Sequence, residues 1–292
     1  MKRLLAAFFA AAFLLTAFAP KQKSPSATPV IFAVLEDGKM IEPIVRVENG
    51  NLTDAYNSDS SMRAFRETYY APKTSYTLVY NGRPAGKVTV VKNDPAWECT
   101  ANMAEVTTSS PTARLKGHTM ALATNMPFKE MLSPDRRVPT ATEKAGVEKL
   151  VIAEFRKQNI VVKNLKMVSA FVMDPDKNKS PEVIGTWIVS PSPKERALIF
   201  LVAERSGAKW VSLLSNVQTI KEEEVMSGEI SAVDEGIYNE LLIDMMDTDN
   251  DGVAELFTTS LSFEGVGYNV YRKKADGLWE RLLENSYYHC AY

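Results

Sequence analysis

From Asp247 to Glu255 the chain reads D-T-D-N-D-G-V-A-E, with aspartates at alternate positions, a glycine next and a glutamate three residues further on. No other stretch restricts the fold as tightly. Carboxylates two residues apart converge only if the chain curls, and once converged they repel one another unless a cation sits between them. Gly252 supplies the backbone freedom for that curl. The oxygens then on offer are the carboxylates of Asp247, Asp249, Asp251 and Glu255 and the carbonyl of Val253, a hard donor set of the kind Ca2+ takes. The bland alternative is a solvated acidic turn without metal, which has no need of this spacing.

The flanks decide what kind of loop this is. An EF-hand has a helix on each side and a bidentate glutamate at its twelfth position. Here that position is Thr258, and the residues that follow, ELFTTSLSF, are the β-branched and aromatic types of a strand. Both observations argue against an EF-hand.

A second, worn copy lies upstream. Asp174, Asp176, Asn178 and Glu182 match Asp247, Asp249, Asp251 and Glu255 at one constant offset, and apolar runs of strand character surround both loops. Each copy continues into a strand, a charged turn with glycine, a tryptophan (Trp210, Trp279) and two leucines, with a few residues fewer in the second. Residues from about 160 to 292 therefore read as two related β-units of roughly four strands, joined by the acidic segment KEEEVMSGEISAVDEG. The first loop has drifted: Asn178 replaces an aspartate, Lys179 replaces the glycine, and Lys177 adds a further positive charge. It is expected to bind no calcium, a lysine ammonium partly neutralising Asp174, Asp176 and Glu182 in the ion's place.

Strand, D-x-D-x-D-G-x-x-E, strand resembles the calcium loops of FG-GAP and VCBS repeats, found in integrin-type propeller blades and many exported bacterial proteins. The resemblance covers the second unit well, the first weakly, and nothing before about residue 160. It implies one Ca2+ held by the side chains of Asp247, Asp249, Asp251 and Glu255 and by the Val253 carbonyl. It also implies a structural ion in a non-enzymatic binding or adhesion-type module. A closed propeller needs at least four blades, and with two recognisable units a sandwich or an open pair of sheets is expected instead.

Before residue 160 the chain also reads as antiparallel sheet. Hairpin signals fall at Asp37-Gly38 and Asn81-Gly82 within β-branched and aromatic runs. The stretch NSDSSMRAFRETYYAPKT has no clear reading. The clearest helix spans 140–158, where Thr140 and Glu143 can form a capping box and Val147, Leu150, Val151 and Phe155 share a face. SPDRRVP, Ser133 to Pro139, marks the boundary between an N-terminal β-rich region, 30–135, and the repeat region, 160–292. The fold class expected is mainly β, antiparallel, with one or few helices.

Residues 1–19 have a basic start at Lys2 and Arg3, an apolar run from Leu4 to Leu15 and an A-x-A at Ala17 and Ala19, as in a secretory signal peptide. The run is short of a membrane span. Pro20 disfavours cleavage directly after Ala19, which leaves the cut open within the polar leader 20–29. In an exported protein Cys99 and Cys290, the only cysteines, are candidates for a disulfide, the alternative being two buried free thiols. With a net charge of −2 and no basic stripe interleaved with aromatics, nucleic acid is not an expected partner. The expected partner is an unidentified macromolecule.

No motif of nucleophilic, metalloprotease, redox or phosphate-binding chemistry is present in the chain. His118, near Thr119 and Thr124, is the one candidate general base. It supports a competing expectation, a secreted or periplasmic hydrolase whose calcium is again structural. His289, beside Cys290, reads as part of a packed or bridged tail.

Overall fold

The computed structural model describes residues 27–93, 102–113, 115, 119–127 and 136–289. The leader-like residues 1–19, Cys99, His118 and Cys290 lie outside the described residues. Among the described residues, seven strands form the N-terminal region: β1 (Val30–Leu35), β2 (Met40–Glu48), β3 (Asn51–Thr53), β4 (Ser75–Tyr80), β5 (Arg83–Lys92), β6 (Ala104–Ser109) and β7 (Thr119–Thr124). They pair in the order β1-β7-β4-β5-β6-β2-β3, and because β1 also pairs with β2 the first six close into a small antiparallel barrel. The Asp37-Gly38 and Asn81-Gly82 hairpins form as their sequences require, each with both residues at positive φ.

Strand alternation sorts β1 cleanly. Val30, Phe32 and Val34 point into the barrel, where Phe32 packs against Tyr76 with ring centroids 4.7 Å apart. Phe65 and Tyr69 reach the same core from helix α1 (Asp59–Tyr69), which fills part of the stretch that has no clear reading in the sequence. Ile31, Ala33 and Leu35 point outward yet are equally buried. A strand covered on both faces loses its polar alternation, which is why VIFAVL is apolar throughout.

Helix α2 (Ala141–Lys157) starts at the Thr140/Glu143 capping box. It lays Val147, Val151 and Phe155 on a four-stranded meander made of β8 (Lys166–Met173), β9 (Glu182–Ser192), β10 (Glu195–Ser206) and β11 (Lys209–Lys221). A second meander follows: β12 (Glu240–Met246), β13 (Glu255–Ser262), β14 (Gly265–Lys273) and β15 (Trp279–Tyr288). The fold is thus mainly β and antiparallel, with two blade-like four-stranded units in its C-terminal half. The two sheets match in detail. Each has a register shift between its third and fourth strands, after Val202 in one and after Val270 in the other. Each sets its tryptophan opposite a basic residue, Trp210 facing Arg205 and Trp279 facing Lys273.

The layers stack as α2, first sheet, second sheet, barrel. Ile184, Phe200 and Val202 of the first sheet meet Leu256, Tyr271 and Trp279 of the second. The other face of the second sheet, with Phe257, Tyr268 and Val270, covers the outward residues of β1. Buried polar contacts fix this second joint. Asp244 in β12 accepts the N–H groups of Asn81 and Gly82 at 2.7 and 3.0 Å, and burial pushes its carboxyl up to about 6. Glu42 in β2 accepts from the Tyr268 hydroxyl at 2.7 Å and stands 2.7 Å from His289 Nε2, so His289 is part of a packed interface.

Candidate metal centre

Two acidic loops leave the same end of the paired sheets, 174–181 between β8 and β9 and 247–254 between β12 and β13. They lie side by side, the Ala254 N–H donating to the Pro175 carbonyl at 2.9 Å. In the downstream loop Asp247 Oδ2 accepts the Gly252 N–H at 3.0 Å, Asp249 Oδ1 the Asp251 N–H at 3.1 Å, and Asp251 Oδ1 the Val253 N–H at 2.8 Å. The turn needs positive φ at Asn250 and Gly252, 64° and 96°. Asparagine and glycine are the residues that tolerate it. The curl brings one carboxylate oxygen from each of Asp247, Asp249 and Asp251 within 4.8 Å of one another. Asp247 is 2% exposed, and its Oδ1 is buried without a hydrogen-bond partner among the described residues. Burial raises the Asp247 carboxyl above its ordinary value, with the two neighbouring aspartates adding to the rise.

Glu255 stands outside that trio. Its Oε2 accepts from the Thr248 N–H and hydroxyl at 2.9 and 2.7 Å, and its Oε1 accepts from Arg272 Nε at 2.7 Å. The same guanidinium reaches Asp249, Nη2 to Oδ2 being 3.2 Å. Of the residues singled out in the sequence, the structure therefore gathers the three aspartates, keeps Val253 in the turn, and gives Glu255 an arginine partner. Arg272 is the residue that sequence reasoning missed here.

The upstream loop repeats the turn. Asp174 Oδ2 accepts the Lys179 N–H at 3.2 Å, Asp176 Oδ1 the Asn178 N–H at 3.1 Å, and Asn178 Oδ1 the Ser180 N–H at 2.6 Å. Lys177 and Lys179 take the places of Asn250 and Gly252 at φ 56° and 71°, and both are exposed. The ammonium that enters the cluster comes from elsewhere. Lys273 at the end of β14 places its Nζ 2.6 Å from Asp176 Oδ2, 3.1 Å from Glu182 Oε1 and 3.8 Å from Glu204 Oε2. Burial pulls this ammonium down, but Asp176 and Glu182 outweigh it and hold it above its usual value. Burial pushes the fully buried Glu182 up to about 8 against the pull of Lys273.

At the opposite end of the two sheets lies a cavity of about 700 Å³ lined by Phe200, Asn216, Gln218, Tyr238, Glu240 and Arg281 among others. Glu240 Oε1 there accepts from Thr258, Asn269 and Tyr271 at 2.6, 2.9 and 2.7 Å, a carboxylate held as a structural acceptor. No histidine or cysteine is among its lining residues. No helix among the described residues is long and apolar enough to cross a membrane. In comparisons with known proteins, no family model matched the chain, and no curated protein and no solved structure proved significantly similar to it.

Proposed function

We propose that the Asp247–Glu255 loop holds one Ca2+ and that the ion is structural, stiffening the β12–β13 connection of an exported, non-enzymatic protein that binds another macromolecule through its exposed loops or sheet faces. The observation that carries the metal reading is Asp247. A buried carboxylate oxygen without a hydrogen-bond partner, facing two more carboxylates, is costly unless a cation supplies the missing contact. The donors are all oxygen, which suits Ca2+ or Mg2+. Calcium is favoured because an irregular loop meets its flexible coordination more easily than a strict octahedron. Asp247, Asp249, Asp251 and the Val253 carbonyl would hold the ion directly. Glu255 lies outside the trio, its oxygens held by Thr248 and Arg272, and would brace the loop beside the ion. The leader-like residues 1–19 and the FG-GAP and VCBS resemblance support export and a binding role.

Melting of the mature protein with calcium and with chelator tests the reading. An ion at a hundred times its dissociation constant adds about 2.7 kcal/mol. Identical transitions in the two conditions, together with no heat of calcium binding, would sink it.

A further inference from the structure

We propose that the 174–182 loop is a second cation site whose cation is the Lys273 ammonium, lent by the neighbouring sheet, so that a neutral residue at 273 turns this loop into a divalent-metal site. The inference borrows the loop architecture of the calcium reading, and its test separates the two.

Three observations lead here. First, the loop presents a metal-type cluster: Asp174, Asp176 and Glu182 each place a carboxylate oxygen within 4.8 Å of the others. Second, two of these groups still lack contacts with the ammonium in place. Asp174 Oδ1 and Glu182 Oε2 are buried without hydrogen-bond partners among the described residues, and their residues are 4% and 0% exposed. An ammonium has three donors and one charge. It satisfies Asp176 and Glu182 Oε1 and leaves oxygens that a divalent ion, taking six to eight, would engage. Third, the two sheets differ where it matters. The strand position that carries Arg272 in the second sheet is occupied by Glu204 in the first, judged by the matched pairings Arg205 to Trp210 and Lys273 to Trp279. The upstream loop thus has a fourth carboxylate where the downstream loop has its own guanidinium, and Asn178 Nδ2 already donates to Glu204 Oε1 at 3.3 Å. With the ammonium gone, the carboxylates of Asp174, Asp176 and Glu182 face one another with Glu204 at their edge, and the Asn178 amide, now turned with Nδ2 toward Asp176 and Glu204, is the group that would have to flip to offer its oxygen.

The test counts bound ions on the full mature chain by equilibrium dialysis and calorimetry with Ca2+. The wild type should bind one ion and Asp249→Ala none. Lys273→Met should bind two, Lys273→Met combined with Asp249→Ala one, and adding Asp176→Asn to that pair should abolish binding. Lys273→Gln repeats the series with an uncharged side chain of similar length in case the methionine variant does not fold. Two ions on the wild type, an ion retained by Asp249→Ala alone, or no gain in either Lys273 variant each overturn the proposal, and the first two need no Lys273 variant. Should the wild type bind none and Lys273→Met bind one that Asp176→Asn removes, the lent-ammonium site stands and the calcium reading of the Asp247 loop fails.

Discussion

The 174–182 and 247–255 loops share a turn, three equivalent hydrogen bonds and a leading buried aspartate, yet one meets a lysine from the next sheet and the other an arginine from its own. Arg272 and Lys273 are consecutive residues of β14. Successive strand residues face opposite sides, so the first turns toward the barrel side and its own loop, the second toward the first sheet. The leading aspartate keeps Oδ1 open in both loops, and the difference is one of position: Arg272 rests on Glu255 and Asp249 at the edge of its trio, whereas Lys273 bonds two of the three carboxylates of its cluster. The same acidic turn therefore serves as a sheet-to-sheet clamp when a neighbour reaches in and as a candidate ion pocket when it does not.

The strongest way to break this contrast is to remove the clamp. Lys273→Met in chelator should lower stability by about 3 kcal/mol or more, because it leaves buried carboxylates unpaired. Calcium should restore part of that loss, which denaturant titration with and without the ion would read.

A reference outside both loops sharpens the comparison. The folded Asp244 carboxyl titrates near 6, above its unfolded value, so the native state binds the extra proton and stability falls as pH rises from about 4 to 6. The fall amounts to something on the order of 3 kcal/mol. Asp244→Asn should flatten this part of the pH–stability profile, and an unchanged slope would place the titration in the loops instead.

Next in size, Asp249→Ala should erase the calcium-dependent gain of about 2.7 kcal/mol. Asp176→Ala should lower stability equally with calcium and with chelator. A loss of the calcium effect in both variants would mean that the two loops share one ion. The smallest effect concerns the turn itself. Lys179 holds φ 71° where the other loop has glycine, so Lys179→Gly should raise the melting free energy by roughly 0.5–1 kcal/mol.

What could be read ahead of the structure was local. The Thr140/Glu143 box announced α2, Asp37-Gly38 and Asn81-Gly82 announced their hairpins, and the apolar runs around the acidic loops announced two four-stranded units. Helix α1 escaped because its capping box closes with Ser61 instead of a glutamate and only Phe65 and Tyr69 mark its buried face. Barrel closure escaped because the pairings that make it, β7 on β1 and β6 on β2, join segments distant in the chain and leave no local trace. The need for a lysine near Asp174, Asp176 and Glu182 was legible from their charge. Its identity was not, since Lys273 becomes a neighbour only when the second sheet packs on the first.

That packing makes the end of β14 a checksum on strand alignment. Sliding β14 by one residue along β13 would exchange the sides to which Arg272 and Lys273 point. The guanidinium would then face a cluster shaped for a slimmer head, and the ammonium would lose all of its carboxylates. A misaligned sheet is thus penalised at both loops at once, which gives the chain an electrostatic means of rejecting it.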